Sequence, residues 1–310
     1  EVEAQAVRDR MENVNYEDLV TIIYTSGTTG NPKGVMLSHK NLLSNVEACI
    51  DPIPADSNSR VLSFLPVCHV YERMLHYLYF YLGCSIHFAE SMDTIGDNIR
   101  EVKPHVFTAV PRLIEKVFDK IMAKGDDLTG IKRKLFFWAV DLADSYDPVK
   151  RSAWYNLKLG IARKLIFSKW QEALGGNINA IASGSAALQP RLARIFLAAG
   201  IPILEGYGLT ETSPVCSVNS FSKGIRIGTV GAVVDDVEVK IADDGEILVK
   251  GPNVMMGYYN LPEQTAEVIK DGWFHTGDIG EFVEGTFLKI TDRKKEIFKT
   301  SGGKYIVPQA

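Results

Sequence analysis

Tyr24-Thr25-Ser26-Gly27-Thr28-Thr29-Gly30-Asn31-Pro32-Lys33-Gly34 packs four small hydroxyl residues, three glycines and a lysine into eleven positions. It sits between two apolar runs, 19–24 before it and 35–37 after it. Glycines let a backbone approach polyphosphate closely, hydroxyls and N–H groups donate to its oxygens, and a lysine neutralises charge. The composition therefore suits a nucleoside triphosphate. A Walker loop would read G-x-x-x-x-G-K-[ST] and lead into a helix. Here Pro32 precedes Lys33, Gly34 follows it, and a strand-like run comes next, so the loop is not that of a P-loop NTPase. Read without its neighbours, the same stretch is a polar turn between two strands.

Working outward, strand-like runs at 19–24, 61–65, 106–110, 180–182 and 201–204 alternate with helical patterns at 112–123 and 191–199. That alternation predicts an α/β fold with a largely parallel sheet flanked by helices. After Gly228 the texture changes. Val237, Val239 and Ile241 alternate with polar residues, Asp244-Gly245 supplies a two-residue hairpin turn, and Ile247 and Val249 resume the pattern. This predicts a smaller antiparallel β subdomain. The expected division is 1–227 as the α/β core, 228–291 as the β subdomain, and 292–310 as a hinge and the start of a further domain.

The chain of 310 residues is 46% hydrophobic, 10% aromatic and 23% charged, which excludes disordered, collagenous and disulfide-dense classes. A net charge of -4 offers no pull toward nucleic acid. Cys49, Cys68, Cys84 and Cys216 form no CxxC pair and read as reduced, mostly buried thiols of a cytoplasmic protein. The apolar stretch 74–88 is interrupted by His76 and His87 and reads as a buried helix-to-strand segment. Between 131 and 170 nine Lys or Arg face three Asp, interleaved with Phe136, Phe137, Trp138, Trp154, Tyr155 and Phe167. This region reads either as a solvated amphipathic face or as a peripheral contact with an anionic membrane. The N-terminus is charged, without an apolar core or an initiator Met, so no leader is visible and a fragment is expected.

The loop resembles the signature of the adenylate-forming superfamily, which includes acyl-CoA synthetases, luciferase-like enzymes and peptide-synthetase adenylation domains. Three further segments match in order: Glu205-Gly206-Tyr207-Gly208-Leu209-Thr210-Glu211-Thr212, Gly272-Trp273-Phe274-His275-Thr276-Gly277-Asp278 and Asp292-Arg293-Lys294-Lys295-Glu296. Leu65-Pro66-Val67-Cys68-His69-Val70-Tyr71-Glu72-Arg73 and Ser301-Gly302-Gly303-Lys304-Tyr305-Ile306-Val307-Pro308 resemble the long-chain fatty acid group within it.

The resemblance implies ATP-dependent activation of a fatty acid to an acyl-adenylate and then to acyl-CoA, with ATP, Mg²⁺ and coenzyme A as the small molecules required. It implies that Thr25, Ser26, Gly27, Thr28, Thr29, Gly30 and Lys33 cradle the β- and γ-phosphates, and that Glu211 and Thr25 hold magnesium. Tyr207 would stack on adenine, with Glu205, Gly206, Gly208 and Thr210 beside it. Gly184, Ser185 and Ala186 would face the base, although Ser185 and Ala187 depart from the commoner Gly-Gly-Ala-Pro form. Asp278 would accept the ribose hydroxyls, with Arg293 on the same sugar, and Asp292 would mark the hinge. His69 is placed near the substrate carboxylate or α-phosphate, and as a lone histidine beside a cysteine it reads equally as structural. Residues 74–81 and 106–111 carry side chains for an acyl slot. The resemblance also implies that a mobile C-terminal domain with a catalytic lysine, and part of the N-terminal region, lie outside this chain, leaving it impaired. Adenylation of another acid, transfer to a carrier-protein thiol, and a non-catalytic nucleotide-binding module stand as alternatives.

Overall fold

The computed structural model describes residues 2–25, 31–294, 298–299 and 305–306. After an exposed helix α1 (Val2–Glu12), strand β1 (Leu19–Thr25) pairs antiparallel with β2 (Lys33–Ser38), and Thr25 faces Lys33 at the end of the ladder. The glycine-rich loop therefore springs from a hairpin. Its residues Ser26, Gly27, Thr28, Thr29 and Gly30 lie outside the described residues. Beyond Ser38 the chain enters α2 (His39–Ala48) through a reciprocal cap, Ser38 N–H to Asn41 and Asn41 N–H to the Ser38 hydroxyl.

The predicted parallel sheet is present. Strands β3 (Arg60–Ser63), β4 (Ser85–Phe88), β5 (Val106–Ala109), β6 (Ala180–Ser183) and β7 (Ile203–Gly208) lie side by side in the order β4-β3-β5-β6-β7. The order reverses at β3, so the carboxyl ends of β3 and β5 flank the crevice where open α/β sheets bind ligands. Every residue of β5 and β6 is buried, because helices cover both faces. On one face α2 and α3 (Val70–Leu82) press Val46, Met74 and Leu78 onto Val61, Val106 and Ala182. On the other lie α4 (Ile95–Val102), α5 (Pro111–Asp126), α6 (Gly130–Asp144), α7 (Ala153–Ala162), α8 (Ser168–Ala173) and α9 (Pro190–Ala198). Their core joins Ile99, Phe118, Phe136, Phe167, Trp170 and Phe196 to Phe107 and Ile181. Each such side chain contributes about 1.5–3 kcal/mol on burial. Both predicted helices are present as α5 and α9, each opened by a proline in its first turn, where no N–H is needed.

Two expectations need correction. The run at 201–204 starts its strand late, at Ile203, because Gly200 closes α9 and Pro202 has no N–H to give a ladder. The hairpin at Asp244-Gly245 is not a two-residue turn. Ala242 N–H bonds the Glu246 carbonyl, so residues 243–245 form the loop, with Gly245 left-handed at φ 84.

The antiparallel part is hydrogen-bonded onto the parallel strands. Beyond β7 come β8 (Val215–Val218) and β9 (Ala232–Val233), then the more distant strands of the same sheet. In chain order these are β10 (Glu238–Ile241), β11 (Glu246–Lys250), β12 (Gly257–Tyr258), β13 (Ile269–Lys270), β14 (Trp273–Val283) and β15 (Phe287–Arg293). Across the sheet the order from β9 is β15-β14-β11-β10, with β13 paired to β14, while β12 instead joins β2. Gly208 belongs to the join of the two halves. A Cβ there would lie 1.7 Å from the Pro214 carbonyl oxygen, so glycine is required where β7 folds over onto β8. No helix of the described residues is long and apolar enough to cross a membrane.

Candidate active site

A cavity of about 570 Å³ opens at the carboxyl ends of the parallel strands. Its walls are largely apolar: Met74 and Leu75 from α3, Val110 after β5, Leu204 on β7, and Val215 and Val218 on β8. Of the predicted slot residues, Met74, Leu75 and Val110 are on the wall. Leu78 and Tyr79 are buried in the core behind it, and Phe80 and Tyr81 point outward. Tyr71 also lines the cavity, its ring within 3.5 Å of where a Gly184 Cβ would stand. Cys49 is on the wall too, a buried thiol whose pKa burial pushes up to about 12 and which is therefore inert.

His69 is the exposed N-cap residue of α3, makes no side-chain capping bond, and stands on the cavity wall. Ser183 Oγ is buried on the same wall with no partner among the described residues. After it the chain turns through Gly184 and Ser185, and Ser185 sits at φ 69. A side chain disfavours that left-handed backbone, which explains why the commoner form of the motif has glycine there. Ala186 is exposed beyond the turn and lines neither cavity.

On the floor of the cavity Glu72 lines it while almost wholly buried. The Ser63 hydroxyl donates to one carboxylate oxygen at 2.5 Å, and Thr108 donates to the other at 2.8 Å. His76 Nε2 lies 2.8 Å from the Ser63 oxygen and 3.5 Å from Glu72. The chain thus brings together polar groups from β3, α3 and β5 that sequence reading left unconnected.

A second, polar cavity of about 1300 Å³ adjoins the first, and Leu209, Glu211 and Arg293 stand on both walls. Thr25 and Lys33 enter it from the base of the β1–β2 hairpin. Tyr258, missed in the sequence, links the charges there. Its hydroxyl donates to Glu211 Oε1 at 2.9 Å while the Lys33 ammonium stands 4.8 Å above its ring. Burial and the neighbouring Glu211 charge hold the Tyr258 phenol protonated.

Asp278 is buried on the wall opposite. It accepts from the Tyr207 hydroxyl at 2.7 Å on Oδ2 and faces Arg293 Nε at 3.3 Å on Oδ1. Each oxygen keeps a lone pair for a further donor, such as a sugar hydroxyl. Gly206, Tyr207, Gly208 and Thr210 line the apolar cavity beside them, but Glu205 is on neither wall. Burial pushes its pKa up to about 7, with only the Leu188 amide to compensate.

At the far end of the polar cavity, Lys294 donates to Glu246 at 2.8 Å and pairs with Asp244 at 2.6 Å. Glu246 also accepts from Gly277 N–H at 2.9 Å and meets His275 at 3.2 Å. Burial raises the Glu246 carboxyl, and these donors more than offset it, holding it below the ordinary value. Lys295 and Glu296 of the hinge segment and the side chains of 301–308 lie outside the described residues.

The oxygen donors fit magnesium. Among the described residues no cluster of three His, Cys, Asp or Glu could enclose a metal. Glu211 and Thr25 both line the polar cavity, and their oxygens are of the hard kind that magnesium takes in ones or twos when phosphates and water complete its shell.

A strand-switch crevice thus joins an apolar cavity to a polar one lined by Thr25, Lys33, Glu211 and Asp278. The AMP-binding enzyme model matches residues 1–259, and the chain belongs to that family. Long-chain-fatty-acid–CoA ligase FadD15 of Mycobacterium bovis is 37% identical over 305 residues, covering 96% of this chain and 50% of its own. Human long-chain-fatty-acid–CoA ligase 1 is 37% identical over 320 residues, covering 94% and 44%. The chain thus spans about half the length of the curated relatives it matches. Among solved structures, o-succinylbenzoate CoA synthetase of Bacillus subtilis with its acyl-adenylate intermediate aligns with a TM-score of 0.71 at 22% identity, over 95% of this chain and 53% of that one. A Mycobacterium tuberculosis fatty acyl CoA synthetase gives 0.68 at 22%, over 98% and 55%. These likenesses show the fold.

Proposed function

We propose that the protein containing this chain activates a fatty acid with ATP, forming an acyl-adenylate and then acyl-CoA. The carboxylate oxygen attacks the α-phosphorus and pyrophosphate leaves; the coenzyme A sulfur then attacks the acyl carbon and AMP leaves. The observation that carries this reading is the junction of the two cavities at Leu209, Glu211 and Arg293, an apolar slot opening into a polar basin. An acyl-adenylate has that same division. The relatives named as long-chain-fatty-acid–CoA ligases support the acid.

In this reading Lys33 and the hydroxyls of Thr25, Ser26, Thr28 and Thr29, with Gly27 and Gly30, grip the departing phosphates. Positive charge placed in advance stabilises what accumulates on their oxygens. Magnesium, held by Glu211 and Thr25, would supply Lewis-acid neutralisation of the same oxygens. Asp278 and Arg293 fix the ribose. Tyr207, braced by its bond to Asp278, presents its ring to the adenine beside Gly184 and Ser185. His69 stands where the carboxylate enters, and Thr210 flanks the nucleotide. Glu205 acts away from both cavity walls, supporting the turn at Leu188. We take 1–227, 228–291 and 292–310 as core, β subdomain and hinge. We also infer a cytoplasmic protein with a peripheral membrane contact through 131–170, supported by that region's excess of Lys and Arg.

Pyrophosphate exchange into ATP tests the chemistry. Exchange that requires a fatty acid supports it, and absence of exchange with acids of every length contradicts it.

A further inference from the structure

We propose that the outward face of α7 and the turn that follows it, formed by Trp154, Leu157, Ile161 and Leu165, lies in the headgroup layer of an anionic bilayer. This rests on the reading of 131–170 as a membrane contact and reduces that region to one face of one helix.

The four residues stand at i, i+3, i+7 and i+11, the spacing of a single helical stripe. The helix runs on from α7 through a π-helical turn, Arg163–Phe167, into α8, so the stripe is continuous. Its inner face, Leu159, Ala162, Phe167 and Trp170, is buried in the main core. Its outer face is apolar as well, and the four side chains are 64%, 56%, 46% and 46% exposed. An ordinary surface helix shows charged residues there.

Charge selects the occupant. Every charged residue between 153 and 170 is basic: Lys158, Arg163, Lys164 and Lys169. Arg163 turns inward, donating to the Ala198 carbonyl at 2.8 Å. Lys164 and Lys169 stay exposed, and the Lys158 ammonium stands 5.3 Å over the Trp154 ring. A second copy of the same face would bring like charges together, whereas anionic headgroups match them. Trp154 has the apolar body and polar tip that settle at a membrane interface. A helix so placed lies on the bilayer, its apolar stripe among the acyl chains and its lysines at the phosphates. Fatty acids partition into that same layer.

The test is sedimentation of the 310-residue chain with phosphatidylcholine vesicles, with and without about 30% phosphatidylglycerol. Binding is expected to the anionic vesicles, to weaken with salt, and to carry a blue shift in tryptophan emission that Trp154→Phe removes. The triple variant Leu157→Ser, Ile161→Ser, Leu165→Ser, at exposed positions, is expected to lose roughly tenfold or more in affinity, as is Lys158→Glu with Lys164→Glu and Lys169→Glu. Lys132→Glu with Lys134→Glu on α6 is expected to cost less. Undiminished binding by the serine triple variant overturns the stripe while leaving 131–170 as a contact. No binding by the unaltered chain at low salt overturns both. Self-association through the stripe, or loss of vesicle binding in a longer natural polypeptide carrying this chain, assigns the face to a protein partner and overturns the proposal.

Discussion

The two cavities are built differently. The apolar one rests on parallel strands, and the charge on its floor, Glu72, has both oxygens engaged by buried hydroxyls of Ser63 and Thr108. The polar one rests on the antiparallel half, where charges meet across hairpins and near water. The Arg293 and Lys294 side chains there are 63% and 44% exposed. Their partners Asp278 and Glu246 are buried, so only the basic members stand at the water edge, with room to turn toward another acceptor. Glu72 has no such freedom, since removing one member of a buried set leaves the others unsatisfied. The comparison assigns rigidity to the apolar cavity and more mobile charges to the polar one.

The largest expected effect breaks the comparison at the polar wall. Lys33→Ala and Glu211→Gln should each lower pyrophosphate exchange by about 10²–10³-fold, with little change in the urea midpoint. A parallel fall in stability would mean that these groups hold the fold and do not act on phosphate.

Glu72→Ala should do the reverse. Ser63 and Thr108 would be left buried without their acceptor, and unfolding free energy should drop by about 3 kcal/mol in urea titration. An unchanged midpoint would show that water reaches the floor of the cavity.

The third effect is in pH. Burial raises Glu205 from 4.5 to about 7. Below the lower value both states carry the proton and the stabilisation is complete. As pH rises from 4.5 through about 7, the unfolded chain has already released a proton that the folded chain still binds, so stability falls, and it levels off above. The fall should be about 3 kcal/mol. Glu205→Gln should remove this slope, and a slope that persists would assign it to another group.

The smallest effect sharpens the turn on the wall of the apolar cavity. Ser185→Gly relieves a left-handed backbone and should stabilise by about 1 kcal/mol, less the entropy glycine gains when unfolded. A lower Tm would show that the serine side chain makes a compensating contact.

Much of the parallel half was legible because strands covered on both faces read as short apolar runs, and β5 and β6 follow theirs closely. The joining of the two halves was not. The pairing of β15 with β9 brings Phe287 to Ala232 from a distant part of the chain, and that of β7 with β8 turns on the fold-over between Gly208 and Val215; neither has a local signature. The site divides along the same line. Dense motifs around Lys33, Glu211 and Asp278 marked residues that do line one cavity. Tyr258, Ser63 and Thr108 are single polar residues whose partners are distant in sequence; Thr108 stands 36 positions from Glu72. Glu205 lies inside a motif and yet is on neither wall, and no local pattern sets it apart, since Tyr207, two positions on in the same strand, does line the cavity.

The central claim is that the apolar slot and the polar basin form one site for one divided ligand. Calorimetry with non-hydrolysable acyl-adenylate analogues tests this directly, comparing a long-chain acyl group with an acetyl group on the same nucleotide. Burial of each added methylene is worth about 0.8 kcal/mol, so the long-chain analogue should bind about a hundredfold tighter or more, and Lys33→Ala should weaken neither by as much. Equal affinity for the two analogues would contradict the claim, because the nucleotide would then bind without the cavity beside it.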